Sequence, residues 1–260
     1  MNFDSTTNQS GWKMQNANDV QRGIDLVNEA SMYRNKNAFT SALQHLEKAE
    51  NFFVDDQYLN WRTYLYHEKA MTLHSLSDLE EALRFIEKAE NGYLELHDYR
   101  GLVILLMNKS HLLHDLEEVD GQLETLYYAE YIVENKKIDS LLVSIYTCIA
   151  DHYKENEMFF KAAEYYEKAL QEIDSEPEDE MLYWLQVNLA EVFLSFFVYD
   201  ESERILKNLY TELVRNNEVN KLTKVMGLLT KIYKARGRKD LEKEMSDKMI
   251  AVNKHYINWN

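Results

Sequence analysis

Apolar residues recur along this chain at three- and four-residue steps, the spacing that puts them on one stripe of an α-helix. The stripes themselves recur every 40 residues. The segments ALQHLEKA (42–49), ALRFIEKA (82–89), QLETLYYA (122–129) and AAEYYEKA (162–169) start 40 residues apart, and the same step reaches SERILKNL (202–209) and EKEMSDKM (242–249) with fading similarity. Six units fit one phase without insertion or deletion. A column of small residues holds Ala30, Ala70, Ser110, Ala150, Ala190 and Thr230, and three residues on a column of large ones holds Tyr33, Leu73, Leu113, Tyr153, Phe193 and Tyr233. A third holds Phe39, Leu79, Val119, Phe159, Tyr199 and the exception Lys239; a fourth holds Ala49, Ala89, Ala129, Ala169, Leu209 and Met249.

Such columns describe two helices per unit: a small residue lets two helices approach closely, and a large residue one turn away fills the space beside the contact. The pattern predicts first helices over 19–35, 58–76, 99–115, 139–156, 181–197 and 220–235, and second helices over 38–52, 78–96, 118–135, 158–174, 200–216 and 239–257. Breakers and caps mark the joins at Asn37, Ser77-Asp78, Asp98, Asp139, Ser175-Glu176-Pro177 and Asn216-Asn217. Residues 1–17 stand outside the repeat, polar and rich in Asn, Ser, Thr and Gln, and are expected to be flexible, with Trp12 and Met14 as candidates to pack back on the first hairpin. Residues 18–260 read as one solenoid domain.

Composition narrows the class. Seven Gly and one Pro in 260 residues leave little material for the tight turns of an all-β fold or for phosphate-cradling loops. A formal charge of -16 argues against nucleic acid or an anionic membrane as the main partner. The single Cys148 excludes a disulfide framework and reads as a packed thiol, and the N-terminus has neither the basic nor the apolar stretch of a secretory signal. A cytoplasmic location is expected. No nucleophile elbow, P-loop, paired-His zinc motif or dinucleotide fingerprint is present, so no enzymatic activity and no cofactor are expected. Glu80-Glu81 and Glu117-Glu118 read as charges favouring helix N-termini. The run 174–180 reads as a solvated join.

The repeat resembles the tetratricopeptide (TPR) family. The family's first helix carries a small residue followed three later by an aromatic or Leu, and its second carries Ala-x-x-x-large-x-x-Ala; Ala82 through Ala89 and Ala162 through Ala169 match, and residues 139–173 form the clearest unit. The resemblance covers about residues 20–257, with units of 40 rather than 34 residues and without the closing Pro except near Pro177. It implies an all-α, right-handed superhelical solenoid of six hairpins whose first helices line a concave groove. It also implies a non-enzymatic scaffold binding a protein or peptide. Long units of this kind resemble those of bacterial signalling and regulatory proteins, including peptide-responsive regulators and the sensory parts of some diguanylate cyclases and histidine kinases, so an N-terminal sensory module is the alternative.

The phase then nominates groove residues: Tyr64, His67, Met71 and His74; Ile104, Met107, His111 and His114; Ser144, Thr147, Asp151 and Lys154; Trp184, Val187, Glu191 and Leu194. Three readings compete for them. They are plain groove lining; or they grip a peptide or partner helix, with Trp184 as anchor, His111 as polar partner and a pH response between about 5.5 and 7.5; or His67, His74, His111 and His114 form a metal site, for which no neighbouring carboxylate is evident. Asn28, Asn108 and Asn188 recur at alternate units and favour a structural role. Val27 and Ser31 replace the Lys and Asn with which chaperone-binding members clamp a carboxylate. Residues 211–260 hold 11 Lys and Arg against 6 Asp and Glu, a basic end suited to an acidic surface or to another copy's acidic repeats. Ile250, Val252, Tyr256, Ile257 and Trp259 keep the last segment apolar, which suits self-association.

The small-residue column sets the phase for all of this. Ala150→Leu is expected to overpack a hairpin contact and lower stability by about 1–3 kcal/mol; an unchanged melting temperature would mean that the phase is wrong.

Overall fold

Residues 17–173 and 179–257 are described by the computed structural model of the chain, with side chains from 18–173 and 180–252. Twelve helices lie among them: α1 Ala17–Asn35, α2 Phe39–Glu50, α3 Leu59–Ser75, α4 Leu79–Glu95, α5 Tyr99–Asp115, α6 Val119–Lys136, α7 Leu142–Glu155, α8 Phe159–Gln171, α9 Asp179–Ser195, α10 Tyr199–Asn216, α11 Val219–Ala235 and α12 Lys239–Ile257. No strand occurs among the described residues. The helices follow the expected boundaries to within a few residues; α7 starts late because 139–141 form a single 3₁₀ turn. Trp12, Met14, the Ser175-Glu176-Pro177 join and the side chains of Tyr256, Ile257 and Trp259 lie outside the described residues. No described helix is long and apolar enough to cross a membrane.

The chain divides into two compact units, residues 1–125 and 126–260. In the first, α1 packs on α2, α3 on α4, and each hairpin on the next through α2–α3 and α4–α5. The second repeats the arrangement with α7–α8, α9–α10 and α11–α12. Five of the six members of the small column sit where the sequence put them: Ala30, Ala70, Ser110, Ala150 and Ala190 are buried to 1% exposure or less, while Thr230 is half-buried. The large column is less uniform. Leu73, Leu113, Tyr153 and Tyr233 are buried, whereas Tyr33 is 38% exposed.

Each hairpin turns through the same device. The residue four after the large column adopts a left-handed conformation, with φ of 57° at Asn37, 62° at Ser77, 61° at Glu117, 57° at Glu157, 67° at Phe197 and 66° at Gly237. The next residue's N–H then reaches back to the carbonyl of the large-column residue, as Asp78 does to Leu73 at 3.0 Å and Met158 to Tyr153 at 2.8 Å. This is the Schellman closure, and it satisfies carbonyls that a helix end leaves unpaired. Glu117 therefore closes α5 rather than opening α6. Asp98 caps α5 as expected, accepting from the Gly101 N–H at 2.9 Å, but Asp78 makes no side-chain cap.

Two close helix approaches need glycine on opposite sides. In the first hairpin, a Cβ on Gly23 would fall 2.7 Å from Phe52 Cβ. In the second hairpin the glycine is on the other helix: a Cβ on Gly92 would fall 2.1 Å from Thr63 Oγ1. That hydroxyl is buried with no hydrogen-bond partner. An orphaned buried hydroxyl costs about 1–3 kcal/mol relative to an apolar group of the same shape. Thr63→Val is therefore expected to stabilise the chain by about 1 kcal/mol, and Gly92→Ala to destabilise it by about 1–3 kcal/mol. Chemical denaturation of the two variants checks both signs.

Candidate functional site

In the first unit α1, α3 and α5 stand side by side, and α4 contributes one residue beneath them. Together they line a cleft of about 400 Å³ bounded by Arg34, Tyr64, His67, Glu68, Met71, Tyr93, Gly101, Ile104 and Asn108. Its apolar surface is Tyr64, 37% exposed, and Ile104, 36% exposed, with Met71 half-buried.

The polar floor is tied across three hairpins. Glu68 accepts from Ser31 Oγ at 2.7 Å and from Arg34 Nε and Nη2 at 3.3 Å each. His67 Nδ1 lies 2.9 Å from Tyr93 Oη and its Nε2 lies 2.9 Å from Asn108 Nδ2. With the Asn108 amide donating to Nε2, the ring proton sits on Nδ1 and donates to Tyr93. Burial pushes the His67 imidazole down to about 4; the Glu68 carboxylate opposes this and Arg34 adds to it. Burial, with Asp98 next, raises the Tyr93 phenol, which stays protonated. His67 is thus a neutral positioning group for Tyr93 and Asn108, and it does not supply the expected response near neutral pH.

His74 and Met107 are half-buried, whereas His111 and His114 are exposed. His74 Nε2 meets Asp115 Oδ2 at 2.6 Å, so a carboxylate does stand beside one of the four histidines. Among the described residues, however, no three His, Cys, Asp or Glu side chains gather where they could hold a metal ion. With His67 and His74 each engaged elsewhere, the four-histidine reading has no geometric support.

The second unit repeats the theme with different chemistry. Glu191 on α9 takes Lys154 of α7 at 2.9 Å and Lys224 of α11 at 2.5 Å, and Lys154 also donates to Asn188 Oδ1 at 3.0 Å. Burial raises the Glu191 carboxyl, but the hydrogen bonds from Lys224 and Lys154 outweigh it and hold it below the ordinary value. Trp184 is 46% exposed; its Nε1 donates to Glu180 Oε1 at 2.9 Å and its ring meets Tyr183 edge-on at 4.9 Å. Asp151 accepts a hydrogen bond from Tyr166 Oη. Thr147 bonds back to the Val143 carbonyl at 2.7 Å. Val187 is a correction: it is fully buried in the core with Leu206 and Val225, and Leu194 packs partly against the same core. A helix stripe wide enough to bury α9 against two neighbours takes in that position.

The recurring asparagines behave structurally. Asn108 bonds His67 and Asn188 bonds Lys154, each on the preceding hairpin, while Asn28 is exposed. The basic end is largely consumed within its own unit. Lys221 pairs with Glu180 at 3.0 Å and Glu218 at 2.7 Å; Arg236 pairs with Asp200 at 2.5 Å and Glu203 at 3.3 Å; Arg238 pairs with Glu203 at 3.0 Å. Burial, with Asp151 adding, pushes the Cys148 thiol up to about 12, which leaves it inert.

Sequence reasoning missed Arg34, Glu68 and Tyr93. The signal for Arg34 was present: stepping the Lys154 column back by 40 residues passes His114 and His74 and lands on Arg34.

Solved structures share this fold. A signal-transduction ATPase with a tetratricopeptide repeat sensor from Pyrococcus horikoshii superposes with a TM-score of 0.77 at 16% identity over 90% of this chain, which spans 36% of that longer protein. BtubC from P. vanneervenii gives 0.70 at 16% identity, covering 92% of this chain and 93% of that one. PilF of Pseudomonas aeruginosa gives 0.63 at 11% identity, covering 89% and 92%. At such identities the likeness establishes the fold, a TPR-type helical-repeat solenoid. No family model matches the chain, and no curated protein sequence does.

The His67 environment has a consequence for stability. Well above pH 6.5 the ring is neutral in both folded and unfolded chains and contributes no pH dependence. Between 6.5 and about 4 the unfolded chain binds a proton that the folded chain does not, so stability falls by up to about 1.4 kcal/mol per pH unit as pH drops. His67→Gln is expected to flatten the stability profile in that window; identical slopes in the two proteins would contradict the burial argument.

Proposed function

We propose that this chain is a non-enzymatic binding scaffold that holds a peptide, or an extended or helical segment of a partner protein, along its first helices. The observation that carries the reading is the cleft of the first unit, where Tyr64, Met71 and Ile104 offer adaptable apolar contact over a floor already tied together by Glu68 and His67. A floor fixed before binding lowers the ordering cost of association. Met and aromatic side chains accommodate varied apolar partners. In the second unit, Trp184 with the Lys154–Glu191–Lys224 bridge beside it offers a further aromatic anchor next to paired charges. The cytoplasm is the setting that the composition favours.

A second reading has a specific support. One neighbour of the same fold carries its repeats as the sensor of a multidomain signal-transduction ATPase, and this chain matches 36% of that protein. On that reading the same cleft reports a bound peptide to an output domain, in a bacterial signalling protein.

Binding energy in such a groove concentrates in a few large side chains, with about 2 kcal/mol or more lost on truncation of each. The test captures a partner with the full chain and titrates it against wild type, Tyr64→Ala, Met71→Ala, His111→Ala and Trp184→Ala. Loss of affinity in Tyr64→Ala or Met71→Ala supports the first-unit cleft, and loss in Trp184→Ala supports a contact on the second unit. Unchanged affinity in all four variants would place binding on another surface.

A further inference from the structure

The tips of the fourth, fifth and sixth hairpins, all in the second unit, form a continuous edge. The Phe159 ring stacks on Phe196 at 6.5 Å and Arg236 reaches Asp200 at 2.5 Å, so the tips neighbour one another in chain order. Its fourth and fifth tips are apolar and open: Met158 is 48% exposed and Phe160 78% on the fourth, and Phe197 73% on the fifth. Single exposed apolar residues are ordinary, but three on two adjoining tips, two of them nearly bare phenylalanine rings, are not.

Phe197 is the more telling of the two. It occupies the left-handed turn position at φ 67°, where the other hairpins place Asn37, Ser77, Glu117, Glu157 and Gly237, none of them apolar and large. A bulky residue there costs about 1–2 kcal/mol relative to glycine. In return the ring gains one edge contact, to Tyr199 at 6.1 Å, and remains open to solvent. The turn closure accounts for the backbone, but nothing in the fold calls for an exposed aromatic ring at this position.

Charge along the edge runs in one direction. Exposed Glu155 and Glu157 flank the apolar group on the fourth tip. On that tip Lys161 is drawn over the Tyr153 ring at 4.9 Å. On the fifth tip Asp200 is taken by Arg236 and Glu201 by Arg204 at 2.7 Å. The sixth tip carries Arg236, Arg238 and Lys239; the first two pair within the unit, and exposed Lys239 makes no ion pair among the described residues. An edge that reads acidic, apolar, basic complements itself when two copies meet antiparallel, because a two-fold axis through the apolar centre brings each acidic tip onto the other copy's basic tip.

We propose that this edge is a docking surface for a second copy of the chain, with the Phe197 rings packed near the two-fold axis and Glu157 of each copy facing Lys239 of the other. The proposal is independent of the groove and uses none of the groove residues.

Sedimentation velocity on the full chain over a wide concentration range tests it. Wild type is expected to show a concentration-dependent monomer–dimer equilibrium. Phe160→Ser with Phe197→Gly is expected to weaken the dimer at least tenfold. Phe197→Gly relieves backbone strain and should leave the melting temperature unchanged or higher, so lost dimer is not lost fold. Glu157→Lys and Lys239→Glu are each expected to be monomeric alone and to form a mixed dimer when combined, since both contacts are then opposite in charge. A wild type that stays monomeric at high-micromolar concentration, a dimer indifferent to the double phenylalanine variant, or charge variants that fail to associate on mixing would overturn it.

Discussion

The close approach of two helices at one small residue per repeat sets the rest of this structure. Ala70 and Ala150 are fully buried because a larger side chain would hold the first helix away from its partner. Once the helices are in contact, the large residue three positions on, Leu73 or Tyr153, fills the space at the end of the hairpin, and its carbonyl closes the turn. The 40-residue repeat is thus a packing period and a turn period at once. A first helix held this way presents the same face in each successive hairpin, and side chains 34, 37 or 41 residues apart become neighbours, as in Arg34–Glu68, Ser31–Glu68 and His67–Asn108.

Those neighbours make the candidate site more than an apolar channel. Glu68 is nearly buried, a costly place for a carboxylate unless several donors meet it; Ser31 and Arg34 do so from the preceding hairpin. Glu191 solves the same problem with two lysines from the hairpins on either side. In both units the polar groups that cross between first helices hold the hairpins in register and form the floor on which a ligand would lie. Removing one partner leaves its counterpart buried and unmatched, so a single substitution in the floor acts on both stability and recognition.

Much of this was legible in the sequence, for physical reasons. Helix boundaries and the small column follow from local periodicity, which reports a helix's buried stripe directly. The turns were legible only in part: Asn37, Ser77 and Asn217 look like turn residues, while Glu117, Glu157 and Phe197 adopt the same left-handed conformation without a sequence signature, held there by the closure around them. Groove position was legible, but chemical state was not. His67 occupies its expected face, yet burial and its bonds to Tyr93 and Asn108 remove it from neutral-pH titration. Val187 shares the groove phase and goes to the core because two hairpins pack against α9. The basic excess near the C-terminus suggested a free positive surface, whereas Lys221, Arg236 and Arg238 meet acids of neighbouring elements whose proximity no local pattern encodes.

The central claim is that the faces of the first helices, and not the second helices, receive a partner. Hydrogen-exchange mass spectrometry on the full chain, with and without a captured partner, addresses that claim at the resolution of single helices. The account predicts added protection in α3 and α5 around Tyr64–Met71 and Ile104–His111, with α2 and α4 unchanged outside the segment holding Tyr93. Protection confined to α2, α4, α8 or α10, with α3 and α5 unaffected, would contradict it.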